Sequence, residues 1–130
     1  MADQTFPITV QINARPEWND TGITLKAGQR YQFTASGTWK DAWNSCGPDG
    51  YPSNSTVLRL SEKYRRVADR NWFMLCGSLD KDTALIFPIG SSFSPPPFER
   101  DGVLTCFAND ISYMYWNNCG SVALTISLKD

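Results

Sequence analysis

Apolar and polar residues alternate in short runs along this chain, with Gly, Pro, Asn and Asp between the runs. Phe6, Ile8, Val10 and Ile12 alternate with polar residues, and Val122, Leu124, Ile126 and Leu128 do the same against Ala123, Thr125 and Ser127. A period of two puts one set of side chains on each face of a strand. Ile23 and Leu25 form a brief strand, Lys26-Ala27-Gly28-Gln29 reads as a turn, and Tyr31 to Ala35 follows, so the spacing predicts a hairpin there. The runs 57–60, 72–75, 85–89 and 103–108 add further strands. Helical periodicity is scarce. About seven to nine short strands in an antiparallel β-sandwich, an all-β fold, account for the pattern.

Residues 94–97, Ser-Pro-Pro-Pro, form a rigid extended connection, because proline donates no ladder hydrogen bond. Residues 62–70 carry the one locally charged patch, read as a solvated loop or helical turn, with Glu62 and Asp69 diluting its basic charge. No repeat or linker divides residues 1–130, so a single domain is expected, with Trp18 and Trp39 in its core.

Composition narrows the partners. A net charge of -1 gives no reason to expect nucleic acid or an anionic membrane surface. No apolar stretch reaches the length of a membrane span, and Met1-Ala2-Asp3-Gln4-Thr5 has no basic segment followed by an apolar run. The expected location is therefore cytoplasmic, or outside the cell by a non-classical route. The absence of histidine removes the usual general base and the commonest transition-metal ligand.

Cys46, Cys76, Cys106 and Cys119 allow three pairings, and none forms a C-x-x-C. Free, mostly buried thiols are expected on redox grounds; if a bridge forms, Cys46 and Cys119 are the first pair to suspect. Asn54-Ser55-Thr56 matches a glycosylation sequon, which has meaning only for a secreted chain.

The loop before the last strand holds the candidate chemistry. Residues 109–121 gather Asp110, Asn117 and Asn118, one carboxylate and two carboxamides. Hard cations such as Ca²⁺ take carboxylate, amide and backbone oxygens in flexible loops, and a sugar diol can share the ion. The alternative is a polar turn, with Asn117-Asn118 tolerating positive φ and Asp110 capping a bend. Asp49 lies in a Gly-Pro-Asp-Gly turn with Tyr51 and Trp43 nearby, and these are candidate ligand contacts, although Pro-Asp-Gly is also a sound turn sequence.

Four blocks in order resemble the calcium-dependent galactose-binding lectins of the PA-IL, or LecA-like, type. They are Trp18 to Ile23 with Leu25 to Gly28 and Phe33 to Trp39; Cys46 to Gly50; Cys76 to Leu79 with Phe87 to Gly90; and Gly102 to Leu104, Phe107 to Asp110 and Asn117 to Ser121. The resemblance spans nearly the whole chain and implies a jelly-roll-like β-sandwich. It implies Ca²⁺ held by Asp110, the Met114 carbonyl, Asn117, Asn118 and a carbonyl near Lys40 or Asp41, with Asp41 the better match. Sugar hydroxyls complete the shell in that family, and homo-oligomers are common in it.

This chain departs from the family where Tyr113, Met114 and Trp116 replace small residues, where an insertion covers residues 51–70, and where the galactose-contacting histidine has no counterpart. Galactose specificity is therefore not carried over. Trp116 offers a face on which a sugar ring could stack, alongside Asp110, Asn117, Asp49 and Tyr51 as ligand contacts. Carbohydrate binding without catalysis is the expectation. A second reading is a structural or protein-interaction sandwich that has lost sugar binding, with Tyr113, Met114 and Trp116 as its contact patch. Glycoside hydrolysis would need two tuned carboxylates across a cleft. Asp41, Asp49 and Asp110 are available, but nothing in the sequence tunes them.

Overall fold

The computed structural model describes residues 4–130, so Met1 to Asp3, part of the segment read for a leader, lie outside the described residues. Nine strands form two antiparallel sheets: β1 (Ile8–Asn13), β2 (Asn19–Leu25), β3 (Arg30–Asp41), β4 (Asn44–Cys46), β5 (Leu75–Leu79), β6 (Phe87–Pro88), β7 (Ser92–Phe93), β8 (Gly102–Ala108) and β9 (Asn118–Lys129). One sheet runs β1-β9-β3-β4, with β7 on the β3 edge, and the other runs β2-β8-β5-β6. The all-β antiparallel expectation holds.

Alternation marked β1, β9 and residues 31–35 of β3, which runs on to Asp41. In β9, Val122, Leu124 and Ile126 are buried, whereas Leu128 stays exposed at the strand end. They meet Ile12, Phe33 and Trp39 of their own sheet and Ile23, Leu25, Leu75, Leu79 and Leu104 of the other, in one core. β9 pairs with β3 along its whole length, from Arg30 opposite Lys129 to Asp41 opposite Asn118.

Four sequence expectations are corrected. The hairpin of 23–25 with 31–35 does not form: β2 pairs with β8 and β3 with β9, and the intervening turn crosses between sheets. Alternation decides which face is buried, and it leaves the pairing partner open. Residues 57–60 are not a strand but belong to α1 (Thr56–Ser61), whose first turn is capped by Ser55 Oγ accepting from Leu58 N at 3.2 Å. The run 72–75 enters a strand only at Leu75; Trp72 instead forms an isolated bridge with Tyr51. Trp39 is in the core, but Trp18 is only half-buried and packs edge-on to Phe107 at 5.1 Å.

The cysteines are free thiols. Cys46 and Cys119 flank β3 on opposite sides, opposite Trp39 and Lys40, so two strand spacings, roughly 10 Å, separate them. A disulfide cannot span that distance. Burial pushes the Cys46 thiol up to about 11 and Cys76 to about 12. No helix among the described residues is long and apolar enough to cross a membrane.

The charged segment 62–70 is less solvated than its composition implies. Arg65 is buried with its guanidinium 5.0 Å from the Trp72 ring, and the Arg66 guanidinium lies 3.5 Å from the Phe107 ring. Asn109, fully buried, clamps this segment: Oδ1 accepts from Val67 N, and Nδ2 donates to the carbonyls of Val67, Arg70 and Asn71.

Candidate functional site

Three chain segments converge where β3, β8 and β9 meet. Asp110 follows the end of β8, and Asn118 opens β9 opposite Asp41, the last residue of β3. Ala42 N donates to Asn117 O at 3.0 Å, which carries the ladder one residue beyond the strand and ties the β3–β4 turn to the β8–β9 loop. A short 3₁₀ turn, Tyr115–Asn117, supplies Asn117 and leads directly into Asn118 at this junction.

Asp110 and Asn118 are buried, at 3% and 2% exposure, and touch directly: Asn118 Nδ2 donates to Asp110 Oδ2 at 3.2 Å and to Ala14 O at 3.2 Å. Asp110 Oδ1 accepts from Ile111 N at 2.7 Å. With its amide nitrogen thus committed, Asn118 presents Oδ1 without any partner, and Asn117 Oδ1 is buried and unpartnered as well. The other unpartnered buried side-chain atoms among the described residues, Trp39 Nε1 and Arg65 Nε, are donors. The orphaned buried side-chain acceptors among the described residues thus belong to two consecutive amides, Asn117 and Asn118. An orphaned buried acceptor costs about 1–3 kcal/mol, so two together call for a donor or a cation.

Electrostatics point the same way. Burial pushes the Asp110 carboxyl up to about 6; the nearby Asp41 charge adds to the rise, while the Ile111 and Asn118 hydrogen bonds oppose it. Asp41 is also raised, first by burial, with the Tyr51 hydrogen bond working against the rise. Tyr51 Oη donates to Asp41 Oδ2 at 2.8 Å, and burial together with Asp41 holds the phenol strongly protonated. Neither aspartate has an ion-pair partner among the described residues. Two carboxyls thus lie close enough for the Asp41 charge to raise Asp110, and no cation is paired with either.

The remaining candidates fall into two groups. Met114 precedes the 3₁₀ turn, its N–H donating to Ile111 O at 2.9 Å, with the side chain partly exposed. Trp116, just before Asn117, is 66% exposed and Trp43, just after Ala42, 86%; Tyr113 is also exposed. Asp49 is bonded elsewhere: its Oδ1 and Oδ2 accept from Ser91 N at 2.7 Å and Ser91 Oγ at 2.8 Å. Those bonds pin the Gly-Pro-Asp-Gly turn to the β6–β7 connection.

Two supporting residues were not singled out from the sequence. Asn109 fixes the floor beneath Asp110. Arg66 N donates to Asp110 O at 3.1 Å, and its guanidinium donates to Glu17 O and, at 2.9 Å, to Tyr115 Oη. The adjacent Asn-Asp pair was a signal for Asn109. Arg66 lies inside a charge run, where nothing distinguishes it from solvated neighbours.

No group of three or more His, Cys, Asp or Glu side chains suited to a metal occurs among the described residues. Any ion here would depend on amide and backbone oxygens beside the two aspartates. The larger cavity, about 630 Å³, lies elsewhere, near Phe93, which pairs with Phe33 close to the start of β3. That is about 25 Å along the strand from Asp41.

No protein-family model and no curated protein matches the sequence. Among solved structures, one described as the EclA N-terminal domain, a PllA-like lectin, aligns with a TM-score of 0.67 at 22% identity, covering 93% of this chain and 95% of that chain. The likeness is one of fold, a lectin-type β-sandwich over nearly the full length.

Proposed function

We propose that this protein is a calcium-dependent carbohydrate-binding lectin. Asp110, Asn117, Asn118 and Asp41, with the Met114 carbonyl, would hold Ca²⁺. The observation that carries the reading is the pair of buried, unpartnered oxygens on consecutive residues, Asn117 Oδ1 and Asn118 Oδ1, with Asn118 bonded to Asp110 and the Asp41 charge near enough to raise Asp110. The donor set fits a hard cation, which takes carboxylate and neutral oxygens together. Calcium, when bound, would offer coordination positions to a pair of sugar hydroxyls.

The protein's own residues orient and support. Asn118 Nδ2 fixes Asp110 Oδ2, Tyr51 fixes Asp41, and Asn109 with Arg66 holds the loop from below. Trp116 supplies an exposed aromatic face for a sugar ring. Asp49 acts at one remove, by fixing its turn through Ser91. The fold likeness to a PllA-like lectin supports the class but leaves the sugar open.

Thermal unfolding with millimolar CaCl₂ and with EDTA tests the ion, because a ligand bound only by the folded chain raises Tm. A glycan array in the same two buffers tests the sugar. Equal melting in both buffers removes the calcium reading, and a calcium shift with no glycan signal removes the lectin reading. The joint exposure of Tyr113, Met114 and Trp116 favours a second reading, a protein-contact patch, which predicts self-association or partner capture unchanged by EDTA.

A further inference from the structure

The larger cavity, about 630 Å³, lies between the Pro95 to Pro97 strap and the aromatic residues Phe87, Phe93 and Phe98, with Leu85 beside them. Its volume falls in the range of small-molecule sites, about 300–1,000 Å³. Phe87 packs against Phe93 at 5.8 Å and against Phe98 at 5.3 Å, so two differently tilted rings rest on a common neighbour. The strap is held at both ends: Phe93 pairs with Phe33 of β3, and Phe98 O accepts from Gly28 N at 3.0 Å. Three prolines with fixed φ between these clamps keep the wall in place before any ligand arrives.

The rim charge decides what fits. Asp82, Glu99 and Arg100 line the mouth. Arg100 is already paired with Asp80 at 2.8 Å and Asp82 at 3.3 Å. Glu99 has no ion-pair partner among the described residues. A preformed aromatic pocket with one uncompensated carboxylate suits a cation with apolar substituents, since aromatic faces attract ammonium groups and the carboxylate adds charge complementarity.

We propose that this cavity binds an organic ammonium cation of the alkyl- or aryl-trimethylammonium kind, independently of the oxygen cluster at the other end of β3. The test is an NMR titration of the full ¹⁵N-labelled chain with phenyltrimethylammonium and with choline, repeated with choline's neutral isostere 3,3-dimethylbutanol. Saturable shifts at the Leu85, Phe93, Phe98 and Glu99 amides are expected, unchanged by EDTA. Choline should bind about tenfold tighter than the isostere, and Glu99→Gln should weaken it about threefold or more. Glu99 is exposed, so this variant should melt with the wild type. Phe93→Leu, which keeps apolar bulk but removes a π face, should also weaken binding. No shifts at about 10 mM probe, or equal affinity for the isostere, overturns the proposal. Co-sedimentation with phosphatidylcholine vesicles, competed by choline, would assign the cation to a lipid headgroup; choline binding without co-sedimentation would assign it to a free solute.

Discussion

Replacing Asp110 by Asn should stabilise the calcium-free protein at neutral pH while removing its response to calcium. Burial and the Asp41 charge raise the Asp110 carboxyl from 3.8 to about 6. Ionising it in the folded state at pH 7 therefore costs about 3 kcal/mol relative to the unfolded chain. An asparagine keeps an oxygen to accept from Ile111 N but loses the charge-assisted part of that bond. It also presents an NH₂ to a site where Asn118 already donates, an offset of about 1–2 kcal/mol. A net gain of about 1–2 kcal/mol remains. The pH dependence carries the sign: because the folded-state value is raised, the penalty is absent below about 4, develops as pH rises through about 6, and is complete at 7. Urea unfolding in EDTA at pH 7 should show the variant ahead, and by pH 4 the advantage should be gone. With millimolar calcium at pH 7, only the wild type should gain stability. An Asp110→Asn protein less stable than wild type at pH 7 in EDTA, or a difference that does not change with pH, would refute the reasoning.

Asn109→Ala should cost about 2–4 kcal/mol in urea unfolding, since it strands the Val67 N–H and three carbonyls that one buried amide now serves. Trp116→Ala should weaken glycan binding roughly three- to tenfold while the calcium-induced Tm shift persists, because the indole is exposed and contributes only a stacking face. Gly50→Ala should destabilise by about 2 kcal/mol or more, measurable as a lower Tm: its φ is +70°, and a Cβ there would lie 2.1 Å from Trp72 O.

The sheets were legible wherever a strand has one buried and one wet face. β1, β9 and residues 31–35 of β3 followed from alternation, and most of β8 from an apolar run that proves buried on both faces, but pairing did not. Ile23 and Tyr31 read as hairpin neighbours because only the short turn-like segment 26–30 separates their runs, whereas the core places them in opposite sheets. The run 57–60 misled because four residues with apolar Val and Leu suit a strand or a helical turn equally, and the Ser55 cap decided for helix. At the site, Asp110, Asn117 and Asn118 stood out by residue type. Which Asn atoms lack partners depends on Ala14, a hundred residues away, and no sequence pattern carries that. The double commitment of Asp49 to Ser91 was hidden for the same reason.

The central position of β9 bears on how the polypeptide reaches its native state. Residues 118–129 lie between β1 and β3 and join partners from the opposite end of the chain, Ile8 beside Ile126 among them. During synthesis the first sheet has no middle until the last strand emerges from the ribosome. Such distant pairings make for millisecond-to-second kinetics. A chain cut short before Asn118 would leave β1 and β3 as bare edges open to aggregation.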